Sequence, residues 1–146
     1  MVKVGIIGCG KIAQVRHIPE YLDNPNAKLT GLYDLNLQRA KELAEKYDCK
    51  SYESVEEMLA DPEIDAVSVC VANHVHAEIT IAALKAGKHV LCEKPMATKL
   101  KDCQMMVDTA EQMSKKLMIG QNQRFAKAHA EARKLIEKYI LPWRRI

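Results

Sequence analysis

The 146-residue chain is poor in aromatic residues, at 5%, with a single Trp and a single Phe. Readers of nucleic acid need stacking platforms and a basic stripe. Here the net charge of +3 is small, and bases alternate with acids, as in Lys41, Glu42, Glu45 and Lys46. A nucleic-acid partner is not expected. The sequence also lacks any run of eighteen apolar residues, so no segment reads as a membrane span. Its first apolar run is too short for a secretory leader, because Gly8 to Lys11 interrupts it at once. The five cysteines (Cys9, Cys49, Cys70, Cys92 and Cys103) are odd in number and show no C-x-x-C spacing. Most lie in apolar runs, where Cys behaves as a small hydrophobe, and a reduced, cytoplasmic protein is expected.

What is present is ordinary globular composition, 48% hydrophobic and 28% charged, in a length that suits one domain with a sizeable core. Val2–Ile7 reads as a buried strand ending at Gly8, followed by a helix from Lys11 to about Leu22. Strands are then expected at 28–33, 65–71, 89–92 and 117–121. Helices are expected at 37–47, 54–60, 74–86, 100–115 and 126–139, with Gly87 placed as a helix C′ residue. Strand and helix alternate with short connections. That predicts an α/β fold of Rossmann type, a doubly wound parallel sheet of five or six strands in a single domain.

Gly8-Cys9-Gly10-Lys11-Ile12-Ala13 fits G-x-G-x-x-A between a strand and a helix. Gly8 permits the tight turn, Gly10 lets a pyrophosphate approach the backbone, and Ala13 allows close helix–strand packing. Unpaired amides and the helix dipole would hold the pyrophosphate, which makes Gly8, Cys9, Gly10, Lys11 and Ile12 candidate cofactor-binding residues. A plain strand-to-helix turn is the alternative. Asp34 counts against it, because it ends the second strand 21 residues past Ala13, where a ribose-binding acid belongs. A carboxylate there accepts from both ribose hydroxyls and repels a 2′-phosphate, so NAD is favoured over NADP. Asp34 also has the position to cap the helix at Leu37.

Ligands collect at the carboxyl ends of the strands in such a sheet. Three loops lie there. Ala72-Asn73-His74-Val75-His76 offers Asn73 as a helix cap, while His74 and His76 are too poorly spaced for shared metal ligation, and no metal is expected. Glu93-Lys94-Pro95 places a charged pair straight after an apolar strand. Surface salt bridge or substrate contact are equal readings of it, the second with Lys94 polarising an oxygen or shuttling a proton. Gln121-Asn122-Gln123-Arg124 reads as loop or as rim of the same site.

Together these segments resemble the Gfo/Idh/MocA oxidoreductases, the family of glucose–fructose oxidoreductase and inositol dehydrogenase. The resemblance rests on Gly5 to Ala13, Arg16-His17-Ile18-Pro19, Asp34, Asn73 to His76, and most specifically Ala86 to Ala97 around Glu93-Lys94-Pro95. It implies a Rossmann domain over 1–125, with 126–146 as the helix and tail that begin a substrate domain absent from this chain. It implies hydride transfer between NAD and a hydroxyl-bearing small molecule such as a sugar or polyol. It also implies that Lys94 is the catalytic lysine, that Glu93 holds the nicotinamide ribose, that Ala72, Asn73 and His76 line the cofactor loop, and that Arg124 faces the substrate. Val71-Ala72 departs from the Thr-Pro usual before the asparagine. From the Ile140–Ile146 tail comes a second reading, an NAD-binding module without turnover of its own. An exposed apolar face, open to homo-oligomer contacts or partly covered by Trp143, is expected where the second domain docks.

Overall fold

The structure is a computed structural model that describes residues 1–139. β1 (Val2–Ile7) runs through its centre because its side chains are apolar in both directions. Ile6 packs on one face and Ile7 on the other, both without exposed surface. β2 (Ala27–Tyr33), β3 (Lys50–Ser51), β4 (Ala66–Val69), β5 (His89–Cys92) and β6 (Leu117–Ile119) complete a six-stranded sheet. Its order is β3-β2-β1-β4-β5-β6, and every pairing is parallel. The direction of strand addition reverses between β1 and β4. A crevice therefore opens beyond the carboxyl ends of those two strands, where such sheets bind ligands.

Helices cover both faces, as right-handed crossovers require. On one side α3 (Val55–Ala60), α4 (His76–Lys85) and α5 (Leu100–Gln112) bury Met58, Leu84 and Met106 against Val67, Val69 and Val90. On the other, a helix over 11–23 and α2 (Leu37–Lys46) bury Ala13, Ile18 and Ala44 against Ile6, Leu29 and Leu32. The first of these helices is π-wound over Ala13–His17 and continues as α1 (Ile18–Asp23), with the Ile18 amide reaching back five residues to Ala13 O. α6 (Lys127–Tyr139) follows a 3₁₀ turn at Asn122–Phe125. Met118 on β6 and Phe125 beyond it are 55% and 76% exposed.

α2, α4 and α5 end in the same way, with a residue in the left-handed region and a bond from the amide beyond it to the carbonyl five residues back. At α4 that residue is Gly87, φ +79°, and Lys88 N–H donates to Ala83 O at 3.0 Å. At α2 and α5 it is Asp48 and Ser114, both at φ +52°.

Three local features differ from the sequence expectation. β3 is too short, at two residues, to leave any periodicity, and only its pairing with Gly31 and Leu32 defines it. Asn36, not Asp34, caps α2, its Oδ1 accepting Arg39 N–H at 3.1 Å. The helix expected from His74 is split, with a 3₁₀ turn at Asn73–Val75 ahead of α4, and the Asn73 side chain caps neither. The 140–146 segment, with the expected cover by Trp143, lies outside the described residues.

Candidate functional site

The glycine turn is built by two glycines that are needed for different reasons. Gly8 has φ +95°, and a Cβ there would come within 2.6 Å of Cys70 O, so the turn and the approach of β4 both exclude a side chain. Gly10 has no such constraint. A Cβ added at Gly10 meets no atom of the described residues within 4 Å. The fold leaves open space above it, which is what a pyrophosphate lying on the backbone requires. Lys11 and Ile12 begin the helix, are exposed, and lie in its first turn, where amides have no intrahelical acceptor.

Asp34 is drawn into this turn. Cys9 N–H donates to Asp34 Oδ2 at 2.7 Å, and Asn36 N–H donates to Oδ1 at 2.8 Å. Arg39 Nη1 lies 3.4 Å from both oxygens. A carboxylate has about four acceptor positions, and these contacts fill them, so ribose hydroxyls would take the two positions that Arg39 holds at 3.4 Å. Cys9 is fully buried, and burial followed by the Asp34 charge pushes its thiol up to about 12. Its part in the site is its backbone rather than its sulfur.

A cavity opens from the turn. Gly8, Gly10, Asp34, Ala72 and His74 line its polar mouth, and Tyr33, Val55 and Ile79 form an apolar wall. Sequence reasoning missed the wall, since nothing but the crossing of β2, α3 and α4 marks these three residues. Asn73 is exposed between Ala72 and His74. His76 is buried and reaches the site indirectly, with Nδ1 2.7 Å from Pro95 O and Nε2 3.1 Å from Val71 O. It straps the β4 loop to the Glu93-Lys94-Pro95 loop.

That second loop leaves β5 with Glu93 N–H bonded to Val69 O at 3.0 Å. Glu93 turns inward: Oε1 lies 3.0 Å from His17 Nε2, and Oε2 accepts Lys94 N–H at 3.1 Å. The Lys94 side chain is exposed, and the Lys94–Pro95 bond is cis. Sequence reasoning gave His17 no role. Arg124 is placed apart from the cavity, in a groove beside Met96, Met118 and Phe125. Among the described residues no group of three or more His, Cys, Asp or Glu stands close enough to hold a metal.

A parallel sheet in this order, with a glycine turn and an acid meeting at its switch point, defines a dinucleotide-binding Rossmann domain. Residues 2–121 match the model of an oxidoreductase family with an NAD-binding Rossmann fold, and the chain belongs to that family, the Gfo/Idh/MocA oxidoreductases. Over 125 residues it is 41% identical to glucose-6-phosphate 3-dehydrogenase of Bacillus subtilis, covering 86% of this chain and 35% of the relative. It is 33% identical over 136 residues to myo-inositol 2-dehydrogenase of Thermotoga maritima, covering 92% and 40%. A crystal structure of a 3-ketoreductase from Actinomadura kijaniata, in complex with NADP and TDP-benzene, superposes with a TM-score of 0.87 at 29% identity. That match covers 94% of this chain and 42% of the other. The chain thus carries the family's NAD(P)-binding domain and spans about two fifths of its relatives' length.

Proposed function

We propose that this domain binds NAD, with NADP the weaker ligand, and presents it for hydride exchange with a hydroxyl-bearing carbon of a sugar or polyol. The observation that carries the binding is the empty space over Gly10, whose lack of a side chain no contact among the described residues explains. Asp34 supports NAD, because its carboxylate would meet a 2′-phosphate at the ribose. Arg39 tempers that preference by standing 3.4 Å from the same carboxylate.

The proposed cofactor set is Gly8, Cys9, Gly10, Lys11, Ile12 and Asp34 at the adenosine and pyrophosphate end, with Ala72, Asn73 and Glu93 toward the other end. His76 serves it as the strap between its two loops. When bound, the nicotinamide supplies the hydride chemistry. Lys94 is the proposed catalytic residue, its exposed side chain giving a proton to the substrate oxygen as the ammonium when the carbonyl is reduced and taking it as the amine when the alcohol is oxidised. Arg124 completes the substrate side only if a sugar or polyol spans from Lys94 to the groove beside Met96. Five free thiols suit a reducing, cytoplasmic compartment. Residues 1–125 are proposed as the Rossmann unit and 126 onward as the start of a substrate-binding part. We propose binding without turnover for the 146 residues alone, since the named relatives are substantially longer.

Calorimetric titration with NADH tests the reading. A dissociation constant of about 1 μM to 1 mM is expected, the usual range for enzyme ligands. No heat at millimolar cofactor would overturn it. Turnover of sugars or polyols by the chain on its own would overturn the last part only.

A further inference from the structure

Four polar side chains stand in a row inside the fold, and cofactor binding as described uses only the last. Tyr21 Oη is 2.6 Å from Ser68 Oγ, Ser68 Oγ is 3.3 Å from His17 Nδ1, and His17 Nε2 is 3.0 Å from Glu93 Oε1. Ser68 has no exposed surface, and His17 is 7% exposed. The row joins the 11–23 helix to β4 and β5, and it ends where Glu93 Oε2 takes the Lys94 amide.

The direction of the donors follows from one end. A carboxylate only accepts, so His17 Nε2 carries the hydrogen. With Nδ1 accepting the Ser68 hydroxyl, and Ser68 Oγ accepting the Tyr21 hydroxyl, each donor in the row has one acceptor. Burial, outweighing the opposing effect of the Ser68 contact, pushes the Tyr21 phenol up, so it keeps the proton it donates. Every link is satisfied in that arrangement, which is the condition for a buried polar network to hold one geometry. The π turn at Ala13–His17 supports the same end, since such bulges recur where a helix must aim a side chain at a functional site.

We propose that His17 is a positioning residue for the nicotinamide end of the site. It holds Glu93 through Oε1, Glu93 holds the Lys94 amide through Oε2, and Ser68 and Tyr21 fix the ring tautomer that makes this one-directional. The inference rests on the reading of the Glu93-Lys94 loop as part of the cofactor site.

The test compares His17→Phe, His17→Gln and His17→Asn in the 146-residue chain. Readouts are hydrogen exchange at the Lys94 amide, NADH titration and thermal melting. The Gln amide reaches the place of Nε2, whereas the Asn amide stops at the place of Nδ1. Expected are Lys94 exchange faster by about 10-fold and NADH binding weaker by about 10-fold in Phe and Asn, the equivalent of one hydrogen bond. His17→Gln is expected to stay within about 3-fold of the native chain in both. Equal behaviour of Gln and Asn, or a drop in melting temperature with Lys94 exchange and NADH affinity unchanged, overturns the proposal. If His17→Phe does not fold, the Gln–Asn comparison still decides. If the native chain binds no NADH while Lys94 exchange separates Gln from Asn, the cofactor reading fails and the positioning role stands.

Discussion

The Cys9 amide donates to Asp34 Oδ2 at 2.7 Å, so the two sequence features that announced a dinucleotide are one hydrogen-bonded unit. The acid at the end of β2 shapes the turn after β1 and is itself held facing the crevice. Replacing it therefore acts on specificity through two routes, lost ribose acceptance and a freed Arg39. Asp34→Ser is expected to weaken NADH binding by about 10- to 100-fold, the range for hydrogen bonds to a charged group. NADPH is expected to gain relative to NADH, since Arg39 would then face a 2′-phosphate without a competing carboxylate. Fluorescence titration of both cofactors checks this, and an unchanged NADH-to-NADPH ratio contradicts it.

The two turn glycines separate stability from binding. Gly8→Ala places a Cβ against Cys70 O at a φ of +95°, and is expected to cost about 1–3 kcal/mol of stability. Gly10→Val puts its Cβ where no atom of the described residues lies within 4 Å. It is expected to melt within about 2 °C of the native chain, as a change of under about 0.5 kcal/mol does, while losing most NADH affinity. Denaturant titration beside NADH titration reads both effects. A Gly10→Val chain that binds NADH normally would remove the main support for the site.

Ser114 closes α5 in the left-handed region at φ +52°, where a side chain is strained and glycine is not. Its Schellman bonds use only backbone, with Lys115 N–H on Ala110 O at 2.9 Å, and survive substitution. Ser114→Gly is expected to stabilise the fold by up to about 1 kcal/mol, net of the looser unfolded chain. A lower denaturation midpoint would refute it.

At the opposite end of the sheet, Lys50 Nζ bridges Asp61 Oδ2 at 2.9 Å and Glu63 Oε2 at 2.8 Å. Hydrogen bonds from Lys50, then from Lys3, hold the Glu63 carboxyl down at about 2, from an ordinary 4.5. Asp61 is also lowered, by Lys50 first and then by the Tyr52 hydroxyl. A folded pKa below the unfolded one gives stability that is present above pH 4.5 and is lost as pH falls toward 2. Lys50 and Glu63 are half exposed, so the effect is small and sensitive to salt. Melting temperature against pH should therefore slope less across that window in Lys50→Met than in the native chain, and parallel slopes would argue against it.

Met118 and Phe125 form an exposed apolar edge beside the outer strand β6, which among the described residues has one unpaired backbone edge. Self-association there is expected, because open strand edges and large apolar side chains together favour pairing. Light scattering at rising concentration should show dimers that Met118→Lys with Phe125→Glu abolishes. A native chain that stays monomeric would count against the edge as a contact.

The strand–turn–helix unit, Asp34 and the β5 loop were legible in sequence because each depends on local backbone chemistry: a strand that must end, a φ only glycine adopts, a charged pair after an apolar run. β3 was not legible, since two residues carry no period and only Gly31 and Leu32 define it. Nor were Tyr33, Val55 and Ile79, whose shared wall exists because the crossovers bring α3 and α4 against the end of β2.

By itself, then, the sequence determined the parallel α/β class, the glycine turn with its acid, and the family to which the Glu93-Lys94-Pro95 loop belongs. Only the tertiary structure decided why each glycine is there, packing at Gly8 and open space at Gly10. It also decided that His17 meets Glu93 across 76 residues of chain. The physical reason is register: local sequence sets where a strand ends, but sheet order sets which ends, and which side chains, come to lie side by side.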